Sequence, residues 1–182
     1  MQESDMARFP RAFTTERLVL RRVTPDDAHH VFSYARDPEV ARFMTFPRAE
    51  RVDDVIAPFL DRVQASMDAD TEFHWGIRPA AESRLIGVIS LMRRHGLEMG
   101  YVLNRSQWGR GYVPEAAGAL IDWAFDTREA WRVWATCDLE NTKSVSVMRK
   151  IGMAEEGVLR RWMLHPNIAD EPRDCYVFSI VR

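Results

Sequence analysis

Cysteine is scarce in this chain of 182 residues: there are two, Cys137 and Cys175. Each lies in an apolar run and no Cys-x-x-Cys spacing occurs, so they read as reduced core thiols rather than as a zinc framework or a redox pair. Histidine offers a metal little more. His29 and His30 are adjacent, and neighbours on a helix point away from a shared ligand. Long apolar runs are missing too. No stretch approaches the roughly 18 apolar residues of a membrane span, and residues 1–13 lack the apolar stretch of a secretory leader. These absences predict a cytoplasmic protein with no membrane partner. Nor does one sign of charge dominate: 25 Lys and Arg stand against 27 Asp and Glu, a formal net charge of −2. No direct binding of nucleic acid is expected from such a balance. Arg93–Arg94 and Arg160–Arg161 read as solvated strand ends. With no low-complexity linker or internal repeat, the sequence predicts one domain over residues 14–182 and an N-terminal extension over residues 1–13.

At 46% hydrophobic residues, the chain has enough apolar material for a substantial core. Leu18 and Leu20 alternate with polar residues and predict a strand over 17–23. Thr24, Pro25 and Asp27 mark a helix start, and Ala28, Val31, Phe32 and Ala35 then share one face until Asp37–Pro38 stops the helix. Val52, Val55, Ile56, Phe59, Leu60 and Val63 repeat at helical spacing over 52–63. Segments 73–78, 85–92 and 99–103 are rich in aromatic and branched residues and read as a meander of strands. Beyond Gly109 and Gly111 the rhythm changes. Ala116, Ala117, Leu120, Ile121, Ala124 and Phe125 form an apolar helix, and 132–138 is a strand. Asn141 caps a helix carrying Val145, Met148 and Ile151, which Gly152 ends. Strands over 158–164 and 175–181 close the chain. The fold class is therefore α/β (α+β), a mixed and mostly antiparallel sheet of about seven strands with about four helices on its faces.

The segment 99–117 runs from a strand through Trp108-Gly109-Arg110-Gly111-Tyr112-Val113 into a helix. A turn of this kind exposes backbone N–H groups at the positive end of a helix, a ready site for a pyrophosphate. Alone, a Gly-x-Gly turn before a helix is more often plain structural punctuation. A dinucleotide fingerprint would need a third glycine where Pro114 stands, and a P-loop would need Gly-Lys-Ser/Thr where Gly111-Tyr112-Val113 stands. Nucleotide hydrolysis is thereby set aside.

About thirty residues on comes Asn141-Thr-Lys-Ser144-Val-Ser-Val-Met-Arg-Lys150-Ile151-Gly152. With Thr15-Glu16-Arg17-Leu18-Val19-Leu20-Arg21 and Trp108-Gly-Arg-Gly-Tyr-x-x-Glu-Ala116, it makes the chain resemble the GCN5-related N-acetyltransferase family, and most closely its ribosomal-protein alanine N-terminal acetyltransferase branch. The resemblance spans about Thr14 to Arg182. It implies the acyl-coenzyme A N-acyltransferase fold, acetyl-coenzyme A as co-substrate, no metal, and an amine acceptor, either a peptide N-terminus or a small amine. A non-catalytic acyl-coenzyme A-binding module is the third reading, and the oligomeric state stays open, a homodimer included. In the family the loop, here Trp108 to Val113, takes the coenzyme phosphates through backbone N–H groups, with Arg110 adding charge. A backbone N–H of the preceding strand holds the thioester oxygen, which makes Tyr101 and Val102 candidates by position. Asn141 is either an N-cap or a coenzyme contact, and Ser144 either a surface hydroxyl or a partner of the sulfur. Many relatives carry a tyrosine seven residues after that asparagine as the acid for the departing thiolate. Met148 stands there instead, so Ser144 is the remaining donor. A glutamate of one branch member would fall near Met163 and does not carry over. Transfer to an amine also needs a base, and Glu98 is the candidate, against the plain reading of a solvated strand end. Trp75, Trp162 and the segment 164–172 are expected to shape the acceptor pocket.

Overall fold

The computed structural model describes residues 9–127 and 129–182, with backbone alone at positions 57 and 58. Residues 1–8 of the expected N-terminal extension lie outside the described residues. Eight strands form one sheet in the order β1-β2-β3-β4-β5-β6-β8-β7. They are β1 (Ala12–Thr14), β2 (Leu18–Arg22), β3 (Glu72–Pro79), β4 (Gly87–Arg93), β5 (Leu97–Leu103), β6 (Arg132–Asp138), β7 (Ala154–Met163) and β8 (Arg173–Val181). Seven match the expected strands. The eighth, β1, has three residues, too few for an alternating pattern to be read in the sequence.

All neighbouring strands run antiparallel except β5 and β6. A parallel pair needs a long crossover, which the helix α5 (Tyr112–Asp126) supplies below. The other helices are α1 (Ala28–Ala35), α2 (Pro38–Ala41), α3 (Asp53–Val55), α4 (Arg62–Asp68) and α6 (Thr142–Lys150). One expectation changes here. The helix predicted over 52–63 is broken: a wide π-type turn at Ile56–Asp61 separates α3 from α4. Pro58 brings no N–H for an ordinary helical bond, and widening the turn accommodates that gap.

The sheet separates two cores. On one face, Leu18, Leu20, Trp75, Ile77, Leu97, Met99 and Leu103 pack with Ala116, Leu120 and Ala124 of α5 and Val145 and Met148 of α6. On the other, Val23 and Val88 pack with Val31, Tyr34 and Ala35 of α1 and Val55 of α3. Each fully buried large side chain contributes about 1.5–3 kcal/mol by leaving water. Trp75 belongs to the first core. It is fully buried against Phe9, Phe13 and Phe73, and its Nε1 donates to the Pro10 carbonyl at 2.9 Å. It therefore lines no acceptor pocket; instead it holds residues 9–13 to the sheet. Asp27, in the 3-10 turn that opens α1, accepts from Thr24 N–H at 3.1 Å and forms a buried ion pair with Arg78 of β3 at 2.5 Å. That pair fixes the first helix to the second face, and breaking it would cost about 3–5 kcal/mol.

Candidate active site

β5 and β6 pair at two positions, Leu97 with Val133 and Glu98 with Trp134. Beyond them β5 continues along β4 to Leu103, and β6 along β8 to Asp138. The strands thus part into a wedge, with the glycine loop at the end of one arm and the start of α6 at the end of the other. Along β5, from Met99 onward, one of every two successive N–H groups faces this wedge instead of β4. Tyr101 and Val102 lie on that stretch.

Side chains on β5 alternate between the two faces. Tyr101 packs against the core of α5 and α6, and Val102 against the core of α1. Glu98, of the same parity as Val102, lies on the α1 face. Contrary to a solvated strand end, it is 8% exposed. Burial pushes its carboxyl above the ordinary range, and Arg94, whose Nη1 lies 3.4 Å from Oε2, pulls it part of the way back. Arg94 also donates to Glu72 at 3.1 Å, and Glu72 meets His74 Nε2 at 3.3 Å. Arg93 and Arg94, expected as solvated ends, are both ion-paired, Arg93 with Asp70 and Glu129.

The wedge brings Tyr101 and Ser144 together. The phenol oxygen lies 2.5 Å from Ser144 Oγ and 3.3 Å from the Ser144 carbonyl. Ser144 is held in the first turn of α6, where Asn141 Oδ1 accepts from its N–H at 3.2 Å. The N-cap expected at Asn141 is therefore present. Cys137 of β6 is within hydrogen-bonding reach of Ser144, and burial pushes its thiol up to about 12, which leaves it protonated and inert. Glu98 is not part of this group, since it faces the opposite side of the sheet.

At the far end of the wedge, Gly109 and Gly111 adopt φ of 77° and 78°, the left-handed region that suits glycine. Gly111 caps α5, and helix geometry leaves the N–H groups of Tyr112 and Val113 without a partner inside the helix. Trp108 differs from expectation. Its N–H donates to the Arg105 carbonyl at 3.1 Å and its Nε1 to the Leu103 carbonyl at 2.8 Å, while its ring packs on both cores. It anchors the loop rather than presenting an N–H. Lys143 Nζ sits 4.0 Å over that ring and so joins loop to α6.

The loop also rests on Arg17, which sequence reasoning left without a role. Arg17 Nη1 donates to the Arg110 carbonyl at 3.0 Å, and its Nε donates to Glu115 in the first turn of α5 at 2.6 Å. Thr15 Oγ1 reaches the same carboxylate at 2.5 Å. Both partners lie inside conspicuous motifs, yet no spacing rule connects positions so far apart. Of the expected acceptor elements, Trp162 is exposed, and Asn167 ties segment 164–172 to residues 41–48 by donating to the Ala41 and Phe46 carbonyls. The shallow depression there is lined by Glu39, Arg42, Arg48, Asn167 and Ile168.

A wedge between parallel strands, with a glycine loop at one arm and a capped helix at the other, can take a long thin molecule edge-on. Comparison with known proteins names a family. The chain is 31% identical over 171 residues to the uncharacterized N-acetyltransferase YnaD of Bacillus subtilis (strain 168), covering 92% of this chain and 95% of the relative. It is 26% identical over 163 residues to the [ribosomal protein uS5]-alanine N-acetyltransferase of Escherichia coli (strain K12), covering 83% and 82%. The structure of the microcin C7 self immunity acetyltransferase MccE, solved with acetyl-CoA and AMP, superposes with a TM-score of 0.82 at 19% identity, covering 92% of this chain and 94% of the other. No helix among the described residues is long and apolar enough to cross a membrane. Residues 17–154 match the acetyltransferase (GNAT) domain, and the chain belongs to that family and is an acetyltransferase.

Proposed function

We propose that the protein transfers acetyl from acetyl-coenzyme A to a protein N-terminal α-amino group, and that it does so in the cytoplasm, where two free buried thiols are kept reduced. The observation that carries this reading is the two-residue pairing of β5 and β6, after which strand edge lies open between a glycine loop and the N-terminus of α6. The coenzyme's phosphates lie against the N–H groups of Gly109 to Val113, with Arg110 adding charge, and its pantetheine passes between β5 and Asn141 and Ser144 of α6. Pro114 contributes no N–H. The thioester oxygen accepts from a β5 N–H at Tyr101 or Val102.

Once the thioester lies in the plane of the sheet, the two faces take different work. The amine approaches on the α1 face, where Glu98 removes its proton. An α-amino group has a reference pKa of about 7.7–8.0, so a carboxylate with a raised pKa is a sufficient base, directly or through one water. The acceptor class is supported by the likeness to the uS5-alanine enzyme. Mass-spectrometric screening of the purified protein with acetyl-coenzyme A, against peptide N-termini and small amines, tests it. Acetylated peptides are expected. Products among small amines only would give the acceptor as a small molecule, and coenzyme binding without any product would make the protein a binding module.

A further inference from the structure

A donor for the departing sulfur cannot come from position 148, because the Met148 thioether has no proton to give and is fully buried in the core between α5 and α6. Tyr101 reaches the same end of α6 from the opposite arm of the wedge. Its ring is half-buried against that core, and its hydroxyl touches Ser144 at both Oγ and the carbonyl. Cys137 completes the set from β6, but burial holds its thiol protonated and it is already turned to Ser144. Polar hydrogens from β5, β6 and α6 therefore converge at a partly buried position beside the open edge of β5. A charge created in such a place is worth far more to a hydrogen-bond donor than one in solution.

We propose that the Tyr101 hydroxyl is the catalytic hydrogen-bond donor to the sulfur leaving coenzyme A, and that Ser144 is the positioning residue that holds it there. The proposal rests on the acetyl-transfer reading above. In the step itself the amine nitrogen forms a bond to the acetyl carbon, the carbon–sulfur bond breaks, and sulfur carries the electron pair away as thiolate. The amine proton goes to Glu98, on the other face of β5. A thiolate whose acid has a pKa of about 8.5 does not take a proton from a phenol of pKa about 10, so Tyr101 donates a hydrogen bond and keeps its proton. Burial raises Tyr101 further and keeps it in the donor form at any working pH. The thiolate takes its own proton from water on release.

The first measurement needs no acceptor, and the second uses a peptide amine as acceptor. Free coenzyme A bound to the protein is titrated through the ultraviolet absorbance of its thiolate, in the wild type, in Tyr101→Phe and in Ser144→Ala. A donor to the charged form lowers the thiol's pKa, so the bound thiol should titrate about one unit lower in the wild type than in Tyr101→Phe, with a smaller shift in Ser144→Ala. Turnover of Tyr101→Phe should fall about 10- to 100-fold while acetyl-coenzyme A affinity stays within about twofold. Equal thiol titrations together with wild-type turnover in Tyr101→Phe would overturn the proposal. Should that variant fold poorly by circular dichroism, 3-fluorotyrosine at 101, a stronger donor of nearly the same shape, should lower the thiol's pKa further, and no change there would equally overturn it. A wild type that acetylates no amine would refute the transfer reading, while the thiol titration would still decide the hydrogen bond from Tyr101.

Discussion

Arg17 and Glu115, 98 positions apart in sequence, are joined by backbone and side chain at once: the Arg17 N–H donates to Oε1 at 2.9 Å, and Nε and Nη2 both lie 2.6 Å from Oε2. The β2 end of the chain thereby clamps the first turn of α5, and Arg17 Nη1 extends the clamp to the Arg110 carbonyl. An exposed ion pair alone is worth about 0–1 kcal/mol, so its value here is in the loop it shapes rather than in global stability. Arg17→Ala should lower the melting temperature by only a few degrees, roughly 1 kcal/mol, yet weaken acetyl-coenzyme A binding about tenfold, since a loosened loop must be ordered by the ligand. Calorimetric titration of the variant decides it. Unchanged affinity would mean that the clamp does not shape the phosphate site.

Gly111 tests the loop itself. Its φ is 78°, and an added Cβ would stand 3.5 Å from Arg17 Nη2. Any side chain there strains the backbone by about 1 kcal/mol, and a large one also fills the space through which phosphate reaches the N–H groups. Gly111→Trp should remain folded and lose coenzyme affinity by more than about 100-fold, read by calorimetry. Wild-type affinity in that folded variant would show that the phosphates bind elsewhere.

Asp138, at the end of β6, sets the turn into α6. Its carboxylate is 1% exposed, accepts from Arg173 Nε at 2.6 Å and from Glu140 N–H at 2.9 Å, and lies 3.9 Å from His165 Nε2. Burial would raise its pKa, but the Arg173 hydrogen bond and the Glu140 N–H outweigh burial and hold it below the usual carboxylate range. A group depressed in the folded state stabilises above its unfolded pKa, about 3.9, and that contribution is lost as pH falls through the lower folded value. Asp138→Asn should therefore cost about 1–3 kcal/mol at neutral pH. In urea unfolding followed downward in pH, its curve should begin to approach the wild type below about pH 4 and meet it only below the lower folded value. A gap of constant size over that range would assign the loss to packing instead of charge.

These residues also show what could be read from sequence and what could not. The element order and the capping of α6 follow from local chemistry. Alternation at Leu18 and Leu20 and runs of aromatic and branched residues mark seven strands, and Asn141 three residues ahead of Ser144 has the spacing of a cap. The glycine loop was legible because positive φ demands glycine. β1 escaped because three residues hold no period, and the break at Ile56–Asp61 because the apolar repeat runs straight through Pro58. Trp75 illustrates the remaining difficulty. An aromatic residue on a strand has the same local signature whether it lines a pocket or fills a core, and only the packing of Phe9, Phe13 and Phe73 around it decides. The link between Tyr101 and Ser144 is of the same kind, since their 43-residue separation contains a whole crossover helix.

Glu98 carries the sharpest kinetic expectation, because burial and a neighbouring guanidinium act on it in opposite senses. Burial raises its pKa, and Arg94 at 3.4 Å lowers it, with the net effect upward. A base whose pKa lies above the ordinary carboxylate value loses activity as pH falls through that raised value, so the acid limb of kcat/KM should lie above about pH 4.3 in the wild type. Glu98→Gln should remove that limb, lower turnover by roughly 10²–10⁴-fold, recover partly at high pH as the amine deprotonates unaided, and leave coenzyme affinity near wild type. Arg94→Met gives the converse check. Without the guanidinium the carboxyl is desolvated with less compensation, so the limb should move to higher pH while the rate on its plateau is retained. The measurement is a pH–rate profile of the three proteins beside calorimetric coenzyme titrations. Wild-type rates across the acid limb in Glu98→Gln would remove Glu98 as the base and leave a water chain held by backbone carbonyls of β5. An acid limb that stays in place in Arg94→Met would mean that the limb reports another group, with His74 and Glu72, which meet at 3.3 Å on the same face, the next to be replaced.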